Sequence, residues 1–287
     1  WLDHISRPLL RSGTLQRYIA ELSITGLTSN PTIFGQALAG DAYDAAIRVL
    51  DAKGMAIEEL FFELAIEDVT QAADLFRPIF DASEGAEGWV SLEVSPLLAH
   101  NTARTIQAAS ALHERAARPN LFIKIPGTAE GVSAVEEAIF DGVPVNVTLL
   151  FSTEHYLAAA HAYMRALERR LAARLDLGVA SIASLFVSRW DAGVKEEISP
   201  PFHTRLGVAI AMRTYRAYRE LLASDRWRRL AAAGARPQRL LWASTATKDA
   251  SAPDTLYVQS LAAPDTVITL PEKLLLAFAD HGKVGAV

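Results

Sequence analysis

Short apolar runs alternate with longer helix-like stretches along the whole chain, and this alternation limits the possible folds more than any other feature. It is typical of parallel βα units. Eight runs are strand candidates: Trp1–Ile5, Ser23–Leu27, Trp89–Val94, Leu121–Ile125, Pro144–Leu149, Val179–Val187, Arg239–Ala243 and Thr266–Leu270. Eight such units predict an α/β fold of the (β/α)₈ TIM-barrel type.

The chain length agrees with one such domain. Its 287 residues suit a single barrel over residues 1–287, because α/β barrels often reach ~250 residues as one domain. An open doubly wound sheet is the alternative fold. That fold usually carries a glycine-rich phosphate loop after a strand, and the sequence shows none. The chain begins at Trp1 and stops at Gly-Ala-Val, so both termini look trimmed.

Four longer stretches have helical character: Ala56–Leu75, Asn101–Ala117, Thr153–Leu175 and Arg205–Leu230. The last is rich in arginine, which we interpret as a solvated helix face rather than a nucleic-acid site.

Composition and charge narrow the possible partners. Lysine and arginine total 28 against 33 aspartate and glutamate residues, a net charge of −5 without a basic tail. We therefore expect neither nucleic acid nor an anionic membrane as the main partner. No apolar run reaches the ~18 residues of a membrane span. The chain has no cysteine, which excludes thiol nucleophiles and cysteine-ligated metals and fits a cytoplasmic location.

Lys124 is the most informative single residue. It lies inside the run Leu121–Pro126, which otherwise has the composition of a buried strand. Burial disfavours the charged form of a lysine, and a neutral amine can attack a carbonyl to form a Schiff base. The alternative is an edge-strand lysine whose apolar stem carries the charge out to water.

The seven histidines show neither metal-ligand spacing nor a serine–histidine–acid arrangement, so no metal site is expected.

Polar residues alternate with apolar ones on the fifth strand candidate. Asn146 and Thr148 share one face, opposite Val145, Val147 and Leu149. If the apolar face packs against the outer helices, the two polar side chains point into the barrel. Buried polar groups are costly unless they are hydrogen-bonded. Because barrel active sites lie at the carboxyl ends of the strands, these residues are site candidates.

Acidic and amide residues lie near three other strand ends. Ser91, Glu93 and Ser95 share a face of the third strand, where Glu93 could be an ion-pair partner of Lys124 or a general acid/base. Asp3 lies on the first strand, and Asn30 precedes a proline just after the second. Structural roles are the alternatives. Asp3 could be a helix cap or a solvated loop residue, and Asn30 could be a turn residue.

The sixth and seventh strand candidates end in possible phosphate ligands. Ser184 and Phe186 alternate before Arg189, and the seventh strand is followed by Ser244 and Lys248. The two cations could hold a phosphate with the serine as a neutral donor. Either cation could equally be an exposed surface charge.

Six segments, in the same order along the chain, resemble the transaldolases, with the longer bacterial, actinobacterial-like branch the most similar. They are Leu-Thr-Ser-Asn-Pro-Thr-Ile-Phe at 27–34, Val-Ser-Leu-Glu-Val-Ser-Pro at 90–96, Phe-Ile-Lys-Ile-Pro-Gly-Thr at 122–128, Asn-Val-Thr-Leu-Leu-Phe-Ser at 146–152, Ala-Ser-Leu-Phe-Val-Ser-Arg at 183–189 and Leu-Trp-Ala-Ser-Thr at 241–245.

The resemblance implies a class I aldolase-type barrel that needs no metal or organic cofactor. Such enzymes move a dihydroxyacetone unit from a ketose phosphate, sedoheptulose 7-phosphate or fructose 6-phosphate, to an aldose phosphate, glyceraldehyde 3-phosphate or erythrose 4-phosphate. This transfer links the pentose phosphate pathway to glycolysis. Sugar phosphates are then the expected partners, and the enzyme would be a monomer or a homodimer.

The resemblance also assigns catalytic roles to individual residues. The Schiff-base lysine falls on Lys124. The aspartate that takes the proton from the C4 hydroxyl during carbon–carbon cleavage falls on Asp3. The glutamate and threonine that hold the water used in imine formation and hydrolysis fall on Glu93 and Thr148.

The substrate-binding positions follow in the same way. Three residues match those that bind the dihydroxyacetone hydroxyls, namely Asn30, Asn146 and Ser184, and Phe186 matches a residue that lines the site. Arg189 and Ser244 match phosphate-binding residues, and Lys248 is a looser match.

The last two βα units depart from the family pattern. Ala246, Asp249 and Ala250 stand where we expect Gly, Asn and Pro, and Ile268 and Leu270 stand where we expect Asn and Met. These departures leave open a pathway-specific transaldolase, or an aldolase with a changed sugar preference. A catalytically silent binding barrel is a further alternative, although the four catalytic matches argue against it.

Overall fold

The computed structural model describes residues 1–284, and its strands form the predicted barrel. Eight parallel strands follow one another in chain order around one sheet, which confirms the (β/α)₈ architecture. The strands are β1 (Leu2–Asp3), β2 (Gly26–Thr28), β3 (Trp89–Glu93), β4 (Leu121–Pro126), β5 (Val145–Leu150), β6 (Ser181–Phe186), β7 (Arg239–Ala243) and β8 (Thr266–Ile268).

Hydrogen bonds just beyond β8 join it to β1 and close the barrel. The amide of Leu270 donates to the carbonyl of Trp1 at 2.9 Å, and the amide of Asp3 donates to the carbonyl of Leu270 at 2.8 Å. The first and last strands are therefore neighbours, and side chains at their ends face the same opening.

Helices surround the strands. Those found in residues 1–284 are α1 (Arg7–Arg11), α2 (Thr14–Leu22), α3 (Pro31–Leu38), α4 (Asp44–Asp51), α5 (Ile57–Ala82), α6 (Thr102–Ala116), α7 (Ala129–Phe140), α8 (Thr153–Ala172), α9 (Ser188–Gly193), α10 (Leu206–Leu222), α11 (Asp225–Ala232), α12 (Leu256–Leu261) and α13 (Glu272–His281). Short 3₁₀ turns cover Asp41–Tyr43, Pro96–Leu98 and Pro200–Phe202. None of these helices has both the length and the apolar character needed to cross a membrane.

Several helices begin at a capping residue shortly after a strand. Asn30 Oδ1 accepts a hydrogen bond from the amide of Ile33, and Ser152 Oγ accepts one from the amide of His155. Such caps satisfy amides that have no partner inside the helix. After β2 and β5, only two residues separate the strand from the next helix.

Strand alternation separates two cores. Outward residues such as Val90, Ile123 and Val145 are fully buried and pack in the large core between strands and helices. Inward residues form a second cluster: Trp1, Trp89, Phe122, Ile182, Leu241, Ala243 and Val267. Its aromatic members Trp1, Trp89 and Phe122 lie at or near strand starts and fill the amino-terminal end of the barrel.

An aromatic stack forms the floor under the polar half. The ring of Phe122 stacks on Trp89 at a centroid distance of 4.0 Å and lies 6.4 Å from the ring of Trp1. A Cβ atom on Gly26 would lie only 2.6 Å from the Trp1 indole, so the tryptophan fits only because Gly26 has no side chain. Lys124, two residues after Phe122, therefore stands on an apolar floor.

Two of the sequence-based expectations about local structure are wrong. Leu149 does not share the outer face of β5 with Val145 and Val147: it has a φ of +57° and is 41% exposed. The pairing between β5 and β6 shifts register between Val147 and Leu150, so that Leu150 is the buried residue instead. The extra residue Leu149 bulges out where the strand ends.

The stretch Arg205–Leu230 is two helices, not one. It divides into α10 and α11 at Ala223 and Ser224, and the Ser224 hydroxyl accepts a hydrogen bond from the amide of Trp227 at 3.2 Å. A serine followed by Asp225 is a strong helix start, so local capping outweighs continuation of the helix.

Candidate active site

A cavity of about 170 Å³ opens at the carboxyl ends of the strands. Its lining residues are Asp3, Thr28, Asn30, Lys124, Ser184, Phe186, Arg189, Leu241, Ala243, Ser244, Ala246, Lys248, Thr269 and Pro271. Site residues predicted on five different strands or strand ends are thus brought to one place. Glu93, Asn146 and Thr148 do not line this cavity directly, and each is described below.

Lys124 and Glu93 form a close pair within the barrel. Lys124 Nζ lies 3.1 Å from Glu93 Oε2, and the two side chains are only 9% and 12% exposed. β3 and β4 run side by side with Glu93 opposite Lys124, so the backbone register itself creates the contact. The ion-pair interpretation of Glu93 and the acid/base interpretation are both compatible with this geometry.

A second contact fixes the position of the Lys124 amine. Nζ donates a hydrogen bond of 3.3 Å to the carbonyl oxygen of Ser29. The Ser29 hydroxyl in turn donates a 2.7 Å bond to the carbonyl of Ser91 on β3. The loop after β2 is therefore tied to β3, and the amine is held between two strands rather than free to reach solvent.

Asp3 is oriented by a residue that the sequence analysis did not single out. The hydroxyl of Thr28 donates a 2.8 Å hydrogen bond to Asp3 Oδ1, and the two residues are register partners on β1 and β2. Thr28 is 3% exposed and lines the cavity. One sequence signal could have identified Thr28: it lies two residues before Asn30, on the strand next to that of Asp3.

Asn146 is buried beneath the cavity and held from both sides. Its Oδ1 accepts a 2.7 Å hydrogen bond from the Ser184 hydroxyl, and its Nδ2 donates at 3.1 Å to the Ser91 hydroxyl. These bonds fix which end of the amide faces which strand. Ser184 lines the cavity itself, so Asn146 acts on that wall through Ser184.

Thr148 lies two residues further along β5 and is 1% exposed. Its hydroxyl has no hydrogen-bond partner among residues 1–284. A buried hydroxyl without a partner is costly, so this group is suited to bind a water or a substrate oxygen.

Asn30 lies at the cavity and also begins a helix. It lines the cavity, and its side-chain oxygen caps α3. The capping bond uses the amide oxygen only, which leaves the amide NH₂ group as a donor on the cavity side of the loop.

Two cations and a serine lie at the open end of the cavity. Arg189 and Lys248 are both exposed residues that contribute to its lining, and Ser244 directly follows β7, the strand that also precedes Lys248. The hydroxyls of Ser244 and Ser188 are 2.9 Å apart, and Ser244 has a φ of +55° at the end of β7. Phe186 closes the side near Phe151, with the two ring centroids 5.3 Å apart.

A cavity of about 300 Å³ lies at the opposite end of the barrel. Trp1, Trp89, Phe122 and Arg239 contribute to its walls, all at or near the starts of strands. None of the predicted site residues lines it. Active sites of this fold lie at the carboxyl ends of the strands, so the smaller polar cavity is the candidate active site.

The comparisons with known proteins agree with this assignment of the fold. The family model described as "Transaldolase/Fructose-6-phosphate aldolase" matches residues 1–286. The protein named "Transaldolase" of Thermobifida fusca is 48% identical over 293 residues, which is 99% of this chain and 80% of that protein. The "Transaldolase" of Frankia alni is 47% identical, with 99% of this chain and 79% of the relative covered.

A more distant match has a similar extent. The protein named "Transaldolase 2" of Nostoc punctiforme is 41% identical over 302 residues, 99% of this chain and 79% of its own length. The higher-identity relatives are mostly from actinobacteria, as the resemblance of the six segments predicted. The chain belongs to the transaldolase/fructose-6-phosphate aldolase family.

Proposed function

We propose that this barrel transfers a dihydroxyacetone unit from a ketose phosphate to an aldose phosphate through a Schiff base on Lys124. The donor is sedoheptulose 7-phosphate or fructose 6-phosphate, and the acceptor is glyceraldehyde 3-phosphate or erythrose 4-phosphate. The observation that carries the proposal is the buried contact between Lys124 and Glu93 beside a cavity that also contains Asp3, Arg189 and Lys248.

Imine formation is the first step. The Lys124 amine attacks the C2 carbonyl of the ketose, and the C2 oxygen leaves as water after two proton transfers. Glu93, 3.1 Å from Nζ, is within reach for these transfers. The unpartnered Thr148 hydroxyl on the neighbouring strand supports a role in holding the water that leaves and later returns.

Carbon–carbon cleavage follows. The protonated imine draws electrons from the bond between C3 and C4, and a base removes the proton of the C4 hydroxyl. Asp3 is the carboxylate in the cavity placed for this task, with Thr28 holding one of its oxygens. The bond electrons form an enamine on the C3 side, and C4 becomes the aldehyde carbon of the departing aldose phosphate.

Transfer is the reverse of cleavage on a second aldose. The enamine carbon attacks the new aldehyde, Asp3 returns its proton to the forming hydroxyl, and water releases the new ketose from Lys124. Asn30 and Ser184 hold the dihydroxyacetone hydroxyls, Asn146 orients Ser184, and Phe186 limits the access of water to the enamine. The short hydrogen bonds of Asn146 support this arrangement because they leave one orientation of its amide.

The phosphate lies at the opening of the cavity. Arg189 and Lys248 supply positive charge there, and Ser244 adds a neutral hydrogen-bond donor. Charge-assisted hydrogen bonds to phosphate are among the stronger polar contacts in proteins. This end of the site thus selects phosphorylated sugars, while the lysine end performs the chemistry.

The remaining features of the proposal concern the chain as a whole. Residues 1–287 form one catalytic domain, which needs no metal or organic cofactor for Schiff-base chemistry. The enzyme is cytoplasmic, a monomer or a homodimer, and does not use nucleic acid as a partner. The absence of cysteine supports the cytoplasmic location, and the net charge of −5 without a basic tail argues against nucleic acid as a partner.

A product assay tests the proposed activity. The protein is incubated with fructose 6-phosphate and erythrose 4-phosphate, and products are separated by mass spectrometry. Formation of sedoheptulose 7-phosphate together with glyceraldehyde 3-phosphate is the expected result. Release of free dihydroxyacetone at an equal rate with and without erythrose 4-phosphate would contradict transfer and indicate an aldolase. No turnover by the folded protein would indicate a binding barrel.

A further inference from the structure

A second cavity adjoins the candidate active site on the side of the two cations. It has a volume of about 160 Å³ and is lined by Ser188, Asp191, Ala192, Lys195, His203, Thr204, Thr247, Lys248, Asp249 and Tyr257. Lys248 lines both cavities, and the hydrogen-bonded pair Ser188–Ser244 stands between them. Charges in the second cavity therefore act on whatever Lys248 binds.

The walls of this cavity are built around Asp191. Its Oδ1 accepts hydrogen bonds from the amides of Leu206 and Gly207 at 3.0 and 3.2 Å, and its Oδ2 accepts one from the Tyr257 hydroxyl at 2.7 Å. Asp191 thus joins α9, the start of α10 and α12 into one wall. Asp191 is therefore held by the wall itself, and it forms a constant background when Asp249 or Lys195 is changed.

Asp249 is the second carboxylate and has a different environment. Its Oδ2 lies 3.5 Å from Lys195 Nζ, and its side chain is 17% exposed. Its Oδ1 accepts two hydrogen bonds from Ser251, one from the hydroxyl at 2.7 Å and one from the amide at 3.0 Å. The Ser251 hydrogen bonds, with a smaller contribution from Lys195, hold the pKa of the Asp249 carboxyl below its usual range.

We propose that Asp249 tunes substrate binding: it weakens the binding of the substrate phosphate by neutralising Lys195. The inference rests on the proposed phosphate site at Arg189, Ser244 and Lys248. A dianion bound at Lys248 is attracted by the ammonium of Lys195 and repelled by the carboxylate of Asp249. With the two charges paired, their fields nearly cancel at the phosphate.

The Asp249→Asn variant isolates this charge. Asparagine keeps an Oδ1 acceptor for Ser251, so the turn keeps its hydrogen bonds, while the negative charge is lost and Lys195 is released. We expect the dissociation constant of inorganic phosphate to fall about fivefold, which corresponds to ~1 kcal/mol. The gain should shrink as ionic strength rises, because salt screens exposed charges. A residue that serves only the fold would weaken binding when replaced.

Two further variants complete a double-mutant cycle of Lys195 and Asp249. Lys195→Met leaves the Asp249 carboxylate without its partner, and phosphate should then bind more weakly than to the wild type. The double variant Lys195→Met/Asp249→Asn restores neutrality, so its phosphate affinity should return to near the wild-type value. Asp254→Asn is the matched control: this carboxylate is exposed, pairs with His281 at 3.0 Å and lines neither cavity.

The experiment is calorimetric titration of each purified variant with inorganic phosphate, with competitive inhibition of the reaction of fructose 6-phosphate as a second readout. Tighter binding by Asp249→Asn, weaker binding by Lys195→Met and no change in Asp254→Asn are the expected results. Unchanged or weaker binding by Asp249→Asn overturns the inference, as does a double variant weaker than both single variants. Should Asp249→Asn fail to fold, wild-type affinity in Lys195→Met overturns it equally.

Arg189→Ala separates this inference from the proposed function. Loss of phosphate affinity in Arg189→Ala, together with no effect of Asp249→Asn, would contradict the role of Asp249 alone. Unchanged phosphate affinity in Arg189→Ala would instead contradict the location of the phosphate site.

Discussion

The Thr28 hydroxyl donates a 2.8 Å hydrogen bond to Asp3 Oδ1, across two strands that pair these residues in register. The carboxylate is thereby held at the edge of the cavity by a neighbour that is itself buried. Its free oxygen is the one that can accept a proton from substrate, so the orientation of Asp3 depends on Thr28.

Replacing Thr28 with valine should slow carbon–carbon cleavage while leaving the Schiff base intact. A hydrogen bond to a charged group contributes ~1.5–3 kcal/mol, so we expect kcat to fall roughly ten- to a hundredfold. Steady-state kinetics measure the loss, and Thr28→Ser, which keeps the hydroxyl, should retain most of the activity. Equal losses in both variants would assign the effect to packing of the methyl group rather than to the hydrogen bond.

Asp3 itself should act only in cleavage. In Asp3→Ala, reduction by borohydride should still trap fructose 6-phosphate on Lys124, while turnover falls ~10²–10⁴-fold, the usual range for loss of a general acid/base. Single-turnover experiments separate the two steps. Near-normal turnover in a folded Asp3→Ala protein would make Asp3 a structural residue.

Glu93→Gln distinguishes proton transfer from simple pairing with Lys124. Glutamine keeps the size of the side chain but cannot shuttle the protons needed to form and hydrolyse the imine. We expect the rate of imine formation to fall ~10²-fold or more. Rapid-quench trapping measures that rate directly. A variant that forms the imine at the normal rate but unfolds at a lower temperature would show that the carboxylate at 3.1 Å from Nζ serves only as an ion-pair partner.

Arg189→Ala should raise KM for phosphorylated sugars and leave unphosphorylated fructose almost unaffected. Loss of one charge-assisted contact corresponds to roughly ten- to a hundredfold in binding. The comparison of KM for fructose 6-phosphate and fructose is the measurement. Arg213→Ala is a matched control, because Arg213 is 71% exposed on α10 and pairs with Glu154 away from the cavity. Similar losses on both sugars would mean that Arg189 supports the barrel rather than the phosphate.

The barrel fold could be predicted from the sequence, because hydrophobic periodicity and the number of strand candidates are properties of the chain alone. The same alternation predicted that Asn146 and Thr148 share the inward face of β5. The bulge at Leu149 could not be derived in this way, since a positive φ at a leucine depends on how β5 meets β6.

The role of Thr28 was missed for a related reason. Whether Thr28 reaches Asp3 depends on the stagger between β1 and β2, which no periodic pattern encodes. The break between α10 and α11 is different, because the pair Ser224–Asp225 is a helix-start signal that can be read from the sequence. The Asp249–Lys195 contact joins two loops, and loop placement depends on the tertiary packing around Asp191.

The central claim is that Lys124 carries the substrate as an imine. The most direct measurement is reduction with borohydride in the presence of fructose 6-phosphate, followed by digestion and mass spectrometry of the peptides. We expect a reduced dihydroxyacetone unit on Lys124, and none on Lys195 or Lys248. Modification of another lysine with Lys124 unchanged would contradict it.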